Sequence, residues 1–134
     1  MEPWRIIAAV LAASVVASFT DWLFMGVLFH DRYNVHPEVW RDGRNEPQKI
    51  IQSQIVGLLS CAGFVALCLI LPHQLRIYLK AAAFVALAGP IPLLWQNGLW
   101  MKLHPLVLGS HAVGWLARFV ITAFACSLLF PPAH

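Results

Sequence analysis

Two side chains of opposite charge, Asp21 and Arg118, stand inside long apolar stretches of this chain. A charge within a bilayer costs about 2.5–3.5 kcal/mol on insertion scales, so it normally faces protein or water and has a partner. At about 1.5 Å per helical residue, Asp21 lies roughly 12 Å and Arg118 roughly 18 Å from the same membrane surface. A long arginine side chain reaches across that offset. We therefore predict that the two pair, either as a lock between helices or within a functional site.

Other polar residues share the helical faces or the membrane depth of these charges. His111, Trp115 and Arg118 follow one face of the last apolar stretch, and two amides stand at the corresponding end of the third. The predicted ligand-binding site or ion pathway consists of Asp21, Gln96, Asn97, His111, Trp115 and Arg118. A core histidine beside a structural ion pair explains the same pattern, and both interpretations stay open.

The third apolar stretch is interrupted at residues 89–92 by Gly-Pro-Ile-Pro. Proline lacks a backbone donor and clashes with the preceding helical turn, so we predict a kink or an unwound turn there. Broken helices at mid-membrane often mark transport sites. We expect these prolines to form the floor of a site between the first, third and fourth helices, walled by Trp95, Trp100 and Trp115.

Metal and catalytic chemistry have weaker support. Four histidines, His30, His36, His104 and His111, belong to one membrane side and could join Asp21 around a transition metal. No compact motif such as HExxH is present, and no nucleophile motif, phosphate loop or dinucleotide fingerprint occurs. The three cysteines lack CxxC spacing and are interpreted as core-filling residues. We predict no metal and no cofactor.

The elements that must position these residues are membrane-spanning helices. The chain of 134 residues is 60% hydrophobic and 11% charged, more apolar than a soluble domain of this size can bury. A spanning helix needs about 20 apolar residues. Four stretches qualify, at about 6–29, 50–71, 79–100 and 106–130. The prediction is an all-α, single-domain bundle of four transmembrane helices over 1–134, with a short interfacial helix at 37–41.

Basic residues predict the orientation of the bundle. Four spans put both termini on the side of the second loop, with Arg5, Arg76 and Lys80. The first and third loops carry Arg32, Arg41, Arg44, Lys49 and Lys102. Five basic residues against three favour a cytoplasmic position for the first and third loops.

The expected partners are the lipid bilayer and other membrane proteins. Ala9, Ala13 and Ala17 lie four apart, a spacing that lets helix backbones approach closely in lipid. We expect a homo-oligomer or a partner within a larger membrane complex. The basic residues form no long tract, so we expect no nucleic-acid partner.

Several soft motifs are shared with a known family. The first span ends in an aromatic-rich stretch, residues 22–29, before a loop with Trp40. The third span shows Gly89-Pro90 and then Asn97, and the fourth has a polar residue followed by an aromatic one within 111–115. Over most of its length the chain resembles the small bacterial four-helix membrane proteins called domain of unknown function 1761. It departs by placing Asp21 before Trp22 and lacking the usual tyrosine after it. The resemblance implies a bacterial inner-membrane location and supplies no activity.

Three functions are compatible with these patterns. The leading hypothesis is binding or translocation of a small molecule, lipid or proton through the polar site. The second is an accessory or assembly subunit of a larger membrane complex, with the charge pair joining helices. The third is a small membrane enzyme using His111 and Asp21 as acid and base. Any site is expected in the membrane half that faces the first and third loops.

Overall fold

The computed structural model describes residues 2–33, 35, 38 and 46–131, and within them the chain is helical with no strand. Its elements, in chain order, are α1 (Pro3–Asp21), a π-helical segment (Trp22–Leu28), α2 (His30–Tyr33), α3 (Glu46–Ile70), α4 (Leu75–Ala88), α5 (Pro90–Trp100) and α6 (Pro105–Leu129). The interfacial helix predicted at 37–41 lies, apart from Glu38, outside the described residues.

The predicted all-α bundle of four spans is confirmed. Four helical stretches are long and apolar enough to cross a bilayer: Pro3–Leu28, Pro47–Ile70, Leu75–Trp100 and Pro105–Leu129. In lipid every backbone N–H and C=O must bond within the chain, which is why apolar runs of this length fold as helices. The architecture is that of an integral membrane protein.

Proline and histidine set where helices begin. Pro3, Pro90 and Pro105 occupy the first turns of α1, α5 and α6, where a missing N–H costs nothing. The Leu106 N–H then donates to His104 Nδ1 at 3.2 Å, which caps α6.

The predicted interruption of the third span is confirmed at Gly89. This residue has φ −119° and ψ −93°, outside the helical region, and it separates α4 from α5. Pro90 cannot donate to the preceding turn, so the hydrogen-bond ladder ends there. The span therefore consists of two helices that each pack against α6.

The central helix of the bundle is α6, which contacts α1, α3, α4 and α5. The third span packs mainly on α6. On α1, Ala9, Ala13 and Ala17 form the buried face, so the predicted close approach of helix backbones is confirmed.

Two long-range hydrogen bonds fix the sides of the bundle. Arg5 Nη1 donates to the Leu129 carbonyl at 2.9 Å, and His73 Nδ1 lies 3.0 Å from the Pro131 carbonyl. The start of α1, the second loop and the end of α6 therefore share one surface, called the termini side. The opposite surface, with the first and third loops, is called the loop side.

The bundle is packed more tightly on the termini side. Its main buried cluster there includes Phe64, Tyr78 and Phe130. Toward the loop side, the π-helical segment and α5 contain no buried residue, and residues 47–56 of α3 are all exposed. Since ten successive residues cover every face of a helix, α3 is loosely packed over these turns, although Gln54 is hydrogen-bonded to Ser18 of α1. The space beside residues 47–56, facing α1 and α6, is called the loop-side cleft.

Candidate functional site

An ion pair lies at the base of the loop-side cleft. Arg118 Nη2 donates to Asp21 Oδ2, and Arg118 is only 9% exposed. Asp21 is the last residue of α1 and adjoins the π-helical segment, a backbone irregularity that often occurs at functional sites. The predicted pairing is confirmed, and it joins the first and fourth spans.

Two glycines make room for this pair. A Cβ atom on Gly57 would lie 3.4 Å from Arg118 Nη2, so the guanidinium rests on the α3 backbone. A Cβ atom on Gly114 would lie 3.1 Å from Asp21 Oδ1, closer than side chains normally tolerate. The pair is therefore enclosed by α1, α3 and α6.

Arg118 keeps unused hydrogen-bonding capacity. Its Nε is buried and has no hydrogen-bond partner among the described residues. The Trp115 ring covers one face of the guanidinium, and Arg118 Cζ lies 4.7 Å from the ring centroid. Such a cation–π contact is worth about 0.5–2 kcal/mol. An unpaired buried donor costs about 1–3 kcal/mol. A ligand oxygen placed beside Nε would remove that cost.

A polar strip continues from the ion pair along α1. Ser18 Oγ donates to Gln54 Oε1 and so links α1 to α3 beside the pair. Ser14 Oγ, one turn further, is buried without a hydrogen-bond partner among the described residues. Ser14, Ser18 and Asp21 lie on one face of α1, because they are three or four residues apart.

Tyr33 closes the loop-side end of the cluster. Its hydroxyl lies 3.0 Å from Ser110 Oγ and 3.1 Å from His111 Nε2, and its ring meets the His111 ring edge-on. Burial raises the pKa of Tyr33 above its usual value, the Ser110 hydrogen bond opposes this, and the Asp21 charge adds to it. Asp21, Tyr33 and His111 thus belong to one electrostatic cluster.

The Tyr33 hydroxyl should make a measurable contribution to stability. We expect Tyr33→Phe to lower the free energy of unfolding by about 1 kcal/mol, because Ser110 and His111 lose a partner. A raised folded-state pKa means that the stabilisation is fully present below about pH 10 and is lost as pH rises through the folded-state value. Unfolding measured from about pH 8 to 12 should show a shallower alkaline decline in the variant. An unchanged decline would count against this contact.

Two of the six predicted site residues lie apart from the ion pair. Gln96 is exposed and Asn97 is half-buried, and neither side chain is hydrogen-bonded to the cluster in the described part of the chain. The expectation that Trp95 and Trp100 wall the site is wrong, because they are 73% and 82% exposed. The cause is the position of α5 outside the bundle, packed mainly on α6. The side of the site that we expected the third span to form is instead formed by α3, where Gly57 lies against Arg118.

Sequence reasoning missed the roles of Gly57 and Tyr33. The contact of Tyr33 with Ser110 spans 77 positions, which no local spacing signals. Gly57 did carry a signal, since a glycine inside a helix costs about 1 kcal/mol relative to alanine. Such a residue often marks a close approach of another group.

Metal ligands are not assembled on this side. No group of three or more His, Cys, Asp or Glu side chains among the described residues is arranged to hold a metal ion. His104 caps α6, His30 is exposed, and His36 lies outside the described residues. Two shallow apolar grooves lie elsewhere, along α4 at Leu75 to Ala83 and between α1 and α6.

Fold and site together define the class of this protein: a four-span helical membrane protein with an ion pair inside the bundle. Comparisons with family models, curated proteins and solved structures give no match to the chain. The resemblance to the domain of unknown function 1761 family stays a prediction.

Proposed function

We propose that this membrane protein binds or translocates a small molecule, lipid or proton through the polar site, and that a lipid-like amphiphile fits it best. The observation that carries the proposal is the ion pair at the base of the loop-side cleft, where Arg118 Nε is buried and has no hydrogen-bond partner among the described residues. This part of α3 exposes Ile50, which shares a helical face with Gln54 and Gly57, the residues that meet the bundle. A polar head would meet Asp21 and Arg118, and an apolar tail would lie along α3.

The energetics favour an occupied site. A head-group oxygen accepting from Arg118 Nε would remove a cost of about 1–3 kcal/mol, equivalent to about 5- to 150-fold in affinity. The carboxylate of Asp21 provides acceptors for a hydroxyl or amine on the same ligand. A head group with both donors and acceptors therefore matches the pair better than a simple anion.

The proposal is tested by identifying what co-purifies with the protein. The protein is extracted with surrounding lipid, and the bound species are identified by native mass spectrometry. We expect one amphiphile to be retained after delipidation of the wild type and lost from the double variant Asp21→Asn with Arg118→Gln. That variant removes both charges but keeps the shape and polarity of the pair.

Gln96→Ala is the matched control, because Gln96 is polar, exposed and separate from the pair. It should retain the ligand at the wild-type level. Equal retention by wild type, control and double variant would place the bound lipid on the outer surface and refute the proposal.

The proposed location is a bacterial inner membrane, as the family resemblance implies. The first and third loops are proposed to lie in the cytoplasm, because they carry five basic residues against three on the other side. The accessory-subunit alternative has one supporting observation, the high exposure of the Trp95 and Trp100 side chains on α5. It becomes the leading function if the amphiphile test fails.

A further inference from the structure

A second group of chemically active side chains lies on the termini side, outside the polar site. Cys68 of α3 and Cys126 of α6 are both fully buried and belong to the same packed cluster. Their side chains interact directly with each other, so the two thiols are neighbours across the helix interface. No disulfide joins them.

A buried hydroxyl accompanies the thiols. Tyr78 of α4 is fully buried, and its hydroxyl has no hydrogen-bond partner among the described residues. The same side chain interacts electrostatically with both Cys68 and Cys126. An unpaired buried donor is costly, and a pair of neighbouring thiolates would satisfy it.

We infer that Cys68 and Cys126 form a two-coordinate site for a soft monovalent ion of the Cu(I) type, with the Tyr78 hydroxyl donating to the bound thiolates. Thiolate ligands select Cu(I) over harder ions. On binding, two S–H bonds break, two metal–sulfur bonds form, and two protons leave for water. The bound unit carries one net negative charge, and the Tyr78 O–H offsets it.

The two thiols lie close to the aqueous surface on the termini side, from which an ion can enter. Cys126 is three residues from the end of α6, which is about 5 Å at 1.5 Å per residue. Above it, the His73 ring lies 6.4 Å from the Tyr78 ring and 5.7 Å from the Phe130 ring, between centroids. Because the Pro131 carbonyl can only accept a hydrogen bond, His73 Nδ1 donates to it. Metal-binding histidines are usually oriented by such a bond from their other ring nitrogen.

The test is titration of the purified, reduced protein with Cu(I) supplied as its bicinchoninate complex. We expect the wild type to withdraw one Cu(I) per chain, and Cys68→Ser or Cys126→Ser to withdraw none. Cys61→Ser is the matched control, because Cys61 is equally buried on α3 but packs in a different cluster, with Ala13 and Ala17. It should bind like the wild type.

Two further variants separate metal binding from folding. Tyr78→Phe keeps the ring and should weaken Cu(I) binding by about tenfold, the effect of losing an outer hydrogen bond. His73→Ala should slow loading and leave the stoichiometry unchanged. Failure of the wild type to withdraw Cu(I), or equal binding by Cys61→Ser and both other serine variants, would overturn the inference.

Discussion

Replacing Arg118 alone by methionine should lower the free energy of unfolding by about 3–5 kcal/mol, because it leaves the Asp21 carboxylate enclosed without its partner. The double variant Asp21→Leu with Arg118→Met should lose far less and fold close to the wild-type stability. Removing both members of a buried pair also removes the cost of desolvating them. Unfolding in detergent micelles, followed by circular dichroism, measures both effects.

Arg76→Met is the control for loss of a positive charge, since Arg76 is exposed on α4. It should change stability by less than about 0.5 kcal/mol. Equal losses for Arg118→Met and for the double variant would show that an unpartnered Asp21 carboxylate carries no cost, and would contradict the pairing.

A single methyl group at Gly114 should destabilise the protein by about 1–3 kcal/mol, as overpacking does in a tight interior. The added Cβ would lie 3.1 Å from Asp21 Oδ1 and must push the carboxylate by a few tenths of an ångström, which disturbs its contact with Arg118. Thermal unfolding of Gly114→Ala, alone and combined with Asp21→Asn, measures the effect. The penalty should persist in the combined variant, since the amide keeps the volume of the carboxylate.

Gly109 provides the matched control on the same helix. A Cβ atom there meets no other group within 4 Å, so Gly109→Ala should be neutral or stabilise α6 by up to about 1 kcal/mol through helix propensity. If Gly114→Ala behaves like Gly109→Ala, the carboxylate does not rest on α6 and the geometry of the site needs revision.

The spans and the charge pair follow from the sequence for a clear physical reason. A bilayer admits few backbone solutions, so apolar length alone predicts each helix. A charge in lipid demands a partner, and Asp21 and Arg118 are the only charged residues deep inside the predicted spans, since Lys80 lies at the very start of its span. The break at Gly89 follows equally directly from the missing donor of Pro90.

The neighbours of the pair do not follow from the sequence, because they depend on which helices touch. Nothing in the spacing of Gly89 to Trp100 reveals that the third span packs mainly on α6 and away from Asp21. Likewise the contact of Tyr33 with Ser110 depends on how the chain folds back after the π-helical segment. Helix order around a bundle is set by long-range packing, which local patterns do not encode.

The occupancy of the loop-side cleft is the central claim, and a density map of the protein in discs of native lipid tests it most directly. The account predicts elongated density beside α3 residues 47–56 that ends within hydrogen-bonding distance of Arg118. A map in which protein side chains fill the space above Asp21 and Arg118, with no such density, would contradict it.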